Sequence, residues 1–182
     1  MTSALEQLDA IWRTWRLQHD ALRVVLRTIQ GRSVTTRAPG TLAKTLYEEA
    51  VSAQCERDIR ACQKTAAEFA VLGMWAVFER LLLQRLGSEC HKMLEEPANT
   101  FNAAVTAKVA GDVEYWKIDQ ALDLIKPLFL DARLIGQAKQ IKQYRDWVAH
   151  RNPRKSTPPQ TDPGMAHVLL KELAKALDTP TP

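Results

Sequence analysis

Glycine and cysteine are scarce in this chain, at seven and three of 182 residues. The three cysteines, Cys55, Cys62 and Cys90, are odd in number and far apart, which argues against a disulfide framework. From Thr41 to Met93 there is no proline, and the only glycines are Gly73 and Gly87. No Gly-rich loop of the phosphate-cradling kind occurs anywhere. No apolar run reaches membrane-spanning length; the longest, Phe69–Phe78, leads directly into Glu79-Arg80. Alternating strand patterns and Asn-Gly hairpin signals are missing too. The N-terminus, with Glu6 and Asp9 close to Met1, lacks the basic-then-apolar layout of a secretory leader. These absences leave an all-α, cytoplasmic protein with no membrane partner as the expectation.

The sequence offers five to seven helices in its place. Ser3 and Glu6 have capping-box spacing at the start of a first helix. Its apolar face runs through Leu5, Leu8, Ile11, Trp12, Trp15, Leu22, Val25, Leu26 and Ile29 and stops at Gly31. A polar loop through Pro39-Gly40 follows, then a short helix and a long one from Thr41 to about Met93. The portion Phe69–Phe78 is apolar all round and predicts the centre of the core. Within it Gly73 permits close helix approach, at a cost of about 1 kcal/mol of helix propensity relative to alanine. Pro97 breaks the pattern. A weaker helix over 98–110, capped at Asn99-Thr100, should end at Gly111, and another covers 113–126 up to Pro127. The next runs from an Asp131 cap to about Arg151, because Pro153 disfavours a helical residue before it.

A Pro/Thr/Ser-rich linker, 153–164, leads to a last helix opened by Asp162-Pro163. Its apolar positions are Met165, Val168, Leu169, Leu170, Leu173 and Leu177. The expected organisation is one bundle over 41–178, with the helix and loop of 1–40 packed on it and a frayed tail at 179–182. At this length one domain with a sizeable core is expected.

Lysine and arginine number 25 against 21 acids, a net charge of +4. The excess is clustered: Arg23, Arg27, Arg32 and Arg37 near the front, then Lys139, Lys142, Arg145, Arg151, Arg154 and Lys155. Clustered cations attract polyanions, although a charge cluster by itself is most often a solvated face. The second cluster is distinguished by the histidine it surrounds.

That histidine is His150, in the tract Tyr144-Arg-Asp-Trp-Val-Ala-His-Arg-Asn-Pro153. On a helix Asp146 and His150 are neighbours one turn apart, so the carboxylate can hold the imidazole's orientation. His150 falls in the last turn, where the helix dipole favours a cation. Arg145 precedes it by five residues, its long side chain reaching round to the same end. No nucleophilic serine or cysteine is nearby and no metal-ligand cluster is apparent; Cys90-His91 lacks a second pair at suitable spacing. Arginine and histidine in basic surroundings fit metal-independent RNA cleavage. There the 2′-hydroxyl is the nucleophile, histidine moves the proton, and arginine stabilises charge on the phosphate oxygens. Lys142, Arg151, Asn152, Arg154 and Lys155 would hold the RNA backbone. One histidine serves poorly for both proton transfers, so a homodimer bringing two copies of His150 together is expected. No cofactor is called for.

The tract Arg145-Asp146-Trp147-Val148-Ala149-His150 resembles the motif of the HEPN superfamily, in the form found in its RiboL-PSP-like branch. The core helix Trp75-Ala-Val-Phe-Glu79-Arg80-Leu-Leu is similar to a HEPN helix whose embedded acid approaches the motif arginine. The resemblance covers about 40–178. It implies a dimeric helical bundle and a metal-independent endoribonuclease in toxin–antitoxin, antiviral or stress systems, with an antitoxin or other regulatory protein as partner. It also implies that Arg145 and His150 are catalytic, with Asp146 as the polar residue after the arginine and Glu79 as the embedded acid. In HEPN toxins controlled by a nucleotidyltransferase, a tyrosine two residues after the histidine is modified. Asn152 stands at that position here, so that form of control is not expected.

Other signals have simpler readings. Cys55 and Cys62 are expected as small core residues. Trp12, Trp15, Trp75, Trp116 and Trp147 occupy apolar helix positions and are expected in the core, though an exposed one could stack a base. His19 and His167 look like ordinary helix residues. A non-catalytic helical module binding RNA or a protein is the main alternative to the nuclease. A helix-turn-helix DNA binder on the basic front helix ranks third, for want of a tight turn between two short helices.

Overall fold

The computed structural model describes residues 2–31, 42, 44–48, 52–95, 99–129, 131, 133–151, 154 and 156–178. Among them six α-helices follow one another: α1 (Ala4–Gln30), α2 (Ser52–Glu95), α3 (Thr100–Asp112), α4 (Ile118–Ile125), α5 (Arg133–His150) and α6 (Pro163–Asp178). Short 3₁₀ turns cover Val113–Tyr115 and Lys126–Leu128. No strand occurs among the described residues, and none of their helices is long and apolar enough to cross a membrane.

Local chemistry sets most helix starts. Ser3 Oγ accepts the Glu6 N–H at 3.2 Å while Glu6 accepts the Ser3 N–H at 2.8 Å, a complete capping box. Asn99 caps α3 by accepting from Asn102 N–H at 2.8 Å. Asp131 accepts from Arg133 N–H at 2.9 Å, and Asp162 from Met165 N–H at 3.0 Å. Each such cap satisfies a helix N–H that has no intrahelical partner and contributes about 1 kcal/mol.

α1 spreads its apolar stripe over two clusters. Leu8, with Leu5, Ile11, Trp12 and Trp15, joins the main core against α2 and α6; Ile29, with Leu22, Val25 and Leu26, closes a smaller one around Leu42, Cys55 and Ile59. At the centre, Val71, Met74, Trp75, Phe78 and Leu82 of α2 are wholly buried against Leu122 of α4, Ala138 of α5, and Leu170 and Leu173 of α6. Burial of each large apolar side chain here stabilises the fold by about 1.5–3 kcal/mol. A β-carbon on Gly73 would meet Ile11 at 3.5 Å, so α1 and α2 approach closely at that point.

Several local expectations are corrected. Leu42 is in 3₁₀ conformation and residues 44–48 form turns and bends, so the described part of the short helix expected after Thr41 is not α-helical. Gly111 lies inside α3, which runs on to Asp112 and takes a Lys108–Asp112 pair across its last turn. The helix expected over 113–126 is broken at Trp116-Lys117, and α4 is only eight residues long. Phe69 is 66% exposed, so the Phe69–Phe78 segment is not buried all round; Met165 and Val168 of α6 face outward as well. Cys62 is exposed, unlike Cys55 and Cys90, and all three are free thiols. Of the five tryptophans only Trp75 is fully buried; Trp12, Trp15, Trp116 and Trp147 are half-buried. The loop through Pro39-Gly40, Pro97, Pro153 and the tail 179–182 lie outside the described residues.

Candidate functional site

The helix carrying the Arg–His tract buries Ile135, Ala138, Ile141, Tyr144 and Val148. Its outward stripe is therefore Lys139, Lys142, Asp146 and His150, at the three- and four-residue steps of one helix face. These four line a groove of about 940 Å³ together with Asp119 of α4, Gln143, Trp147 and Arg154. Arg145 belongs to a different face. Five residues at 3.6 per turn put it about 140° round the helix from His150, and the side chain turns toward α2.

There it meets Glu79. Glu79 Oε2 accepts hydrogen bonds from the Arg145 guanidinium and from Trp75 Nε1, the latter at 3.0 Å. Arg145 also donates to Asp146 Oδ1 at 2.8 Å. Asp146 takes a second bond from Lys142 at 3.0 Å, and Lys142 is 3.2 Å from Asp119. The result is a chain of alternating charge from Trp75 in the core to the groove: Glu79, Arg145, Asp146, Lys142, Asp119. Burial pushes the Asp146 carboxyl up, but the bonds from Lys142 and Arg145 outweigh it and hold its pKa below the ordinary aspartate value. Burial likewise pulls Lys142 down, and its two carboxylate partners more than offset this, leaving its pKa raised.

One sequence expectation fails here. Asp146 does not orient His150; it is bound to Lys142 and Arg145 instead. Both Lys142 and His150 lie one turn from Asp146. The ammonium, always charged at neutral pH, outcompetes the imidazole, the more so because Asp119 draws it in from α4. The His150 ring is exposed at the groove and has no hydrogen-bond partner among the described residues.

The residues assigned to RNA backbone contacts divide. Lys142 and Arg154 line the groove. Arg151 points elsewhere: its guanidinium lies 5.5 Å over the Trp147 ring and bonds to Glu68 of α2. Asn152 and Lys155 lie outside the described residues. Arg151 also adopts φ of 40° and closes α5 by donating its N–H to Trp147 O at 2.7 Å. A non-glycine residue in this left-handed region costs about 1 kcal/mol; the pair with Glu68 offsets it.

Glu68 was not legible in the sequence. It sits immediately before the most apolar stretch of α2, 1% exposed, with Oε1 unpaired among the described residues. Its charge and the burial of Tyr144 both raise the Tyr144 pKa, burial being the larger cause. The available signal was a lone acid in an apolar helix segment, which has to find a cation somewhere.

Among the described residues no three His, Cys, Asp or Glu side chains converge as metal ligands. The groove can bind a polyanion through Lys139, Lys142 and Arg154 and presents one imidazole, while Arg145 is tied to it through Asp146. Arg145 is 26% exposed and keeps N–H groups beyond the two bound to carboxylates. No family model, curated protein or solved structure matches the chain.

Proposed function

We propose that this protein is a metal-independent endoribonuclease of HEPN type, acting as a homodimer on single-stranded or loop RNA. The observation that carries the reading is the fixed Arg145. Glu79, anchored by the buried Trp75, and Asp146 hold its guanidinium between α2 and α5, and Asp146 in turn lines the groove that holds His150. In this scheme His150 takes the proton from the 2′-hydroxyl as it attacks the adjacent phosphorus. The 5′-oxygen leaves with a proton supplied by the second protomer's His150, and Arg145 stabilises the charge on the non-bridging oxygens. Product is a 2′,3′-cyclic phosphate and a 5′-hydroxyl. A role in toxin–antitoxin, antiviral or stress systems, under a regulatory protein, accords with that chemistry, as does a cytoplasmic site of action.

The test is incubation of purified protein with RNA in EDTA. Cleavage that survives chelation and is lost in both Arg145→Ala and His150→Ala supports the nuclease. Undiminished cleavage by His150→Ala overturns it, as does cutting of an all-deoxy strand. Light scattering that shows only monomer at assay concentration removes the two-histidine scheme.

A second reading has an observation of its own. Arg145 and Lys142 are each shared by two carboxylates, which leaves their charge largely neutralised. That suits a non-catalytic module binding RNA or a partner protein. RNA that is retained uncut by wild-type protein would favour it.

A further inference from the structure

A second site lies on α1, away from the tract. Four rings stack in series: His167 on Trp12 (centroids 5.2 Å, 9° between planes), Trp12 on Trp15 (5.0 Å, 23°), and Trp15 on His19 (5.1 Å, 28°). The inner end is pinned, because Asp9 accepts from Lys171 at 2.6 Å and is 2.8 Å from His167 Nε2. The outer end is not. Among the described residues His19 has Trp15 as its one ring neighbour, and it lines an open recess of about 360 Å³. That volume falls in the range of small-ligand sites, about 300–1,000 Å³.

The other walls of the recess are suited to a planar polar ring. Gln63 and Gln160 supply amides with no hydrogen bond among the described residues, and Lys64 is an exposed cation with no carboxylate partner among them. Gln160 and Asp162 also line a cleft between α5 and α6 whose far wall includes Gln143, and Gln143 lines the His150 groove. The three depressions thus adjoin through shared residues.

We infer that the recess at His19 is a nucleobase-binding subsite. A base stacks on the free face of His19 as a fifth ring, its edge is read by Gln63 and Gln160, and Lys64 takes the adjoining phosphate. Stacking of this kind is tolerant of base identity, since every base has a π-face. The inference rests on the proposed RNA reading for the strand that supplies the base, and needs no cleavage.

The test uses the full chain and a fluorescein-labelled single-stranded oligonucleotide with 2′-O-methyl groups, which cannot be cut. Binding is read by fluorescence anisotropy. His19→Ala should weaken binding about tenfold, and His19→Phe should stay close to wild type, because the stack and not the charge is what counts. Equal binding by His19→Ala and wild type overturns the inference, as does failure of wild type to bind the strand or a mononucleotide. Titration with AMP and UMP distinguishes the source: binding of a monomer that is lost in His19→Ala supports the subsite with a free nucleotide as its ligand. Protein that binds through His19 yet leaves RNA intact refutes the nuclease and leaves the subsite standing. Cleaving protein indifferent to His19 does the reverse.

Discussion

Arg145 on α5 and Trp75 on α2 donate to the same oxygen, Glu79 Oε2. The wholly buried indole thereby fixes a carboxylate, and the carboxylate fixes the guanidinium across two helices. Glu79→Gln separates these functions: the amide oxygen can still accept from Trp75, but the anion facing Arg145 is gone. On the nuclease reading, cleavage in EDTA should fall at least tenfold, with a stability loss of about 1–2 kcal/mol at this partly exposed pair. Unchanged cleavage together with a normal melting curve would mean that Arg145 needs no such support.

Arg151→Ala should cost more than an exposed arginine usually does. It leaves the Glu68 carboxylate, 1% exposed, without its cation. Loss of one partner from a largely buried pair destabilises by about 2–4 kcal/mol, with the half-exposed arginine keeping it below the upper end. Urea denaturation measures this. Adding Glu68→Leu to Arg151→Ala should recover much of the loss, since an apolar residue suits the site; no recovery would count against the buried charge as the cause.

Two glycines should respond in opposite directions to alanine. A β-carbon on Gly164 would lie 2.9 Å from the capping Asp162 Oδ1 and 3.0 Å from the Trp12 ring. Gly164→Ala should therefore destabilise by about 1–3 kcal/mol and disturb the ring stack. On Gly73 the same atom finds Ile11 at an ordinary 3.5 Å, so Gly73→Ala should be neutral or gain up to about 1 kcal/mol of helix propensity. Thermal melts of the two variants decide.

Acid should loosen the α1–α6 junction. Hydrogen bonds from Lys171 and then His167 hold the Asp9 carboxyl below its ordinary value of 3.8. A depressed carboxyl contributes stability that is full above its unfolded pKa and is lost as pH falls through the lower folded one. Below pH 4 the melting temperature of wild type should thus drop faster than that of Asp9→Asn, which has no such charge to lose. Parallel curves would show that the junction does not depend on it.

Which side chains pair across helices was hidden for a simple reason. Helix periodicity states what lies on one face of one helix, and it is ambiguous even there. Asp146 has a neighbour one turn away in each direction, Lys142 and His150, and the contest went to Lys142 because Asp119 arrives from another helix. The same arithmetic put Arg145 and His150 on different faces, which their closeness in sequence disguised.

Capping residues, proline and the apolar period were enough to determine an all-helical chain, the ends of α1, the opening of α6 and most of the core stripe, because those depend on contacts within a few residues. The structure alone decided that Asp119 reaches Lys142, that Glu68 captures Arg151 beside His150, and that four rings from α1 and α6 stack toward a recess. Each of these joins groups far apart in the chain. Their meeting depends on how helices pack, and no local preference encodes that.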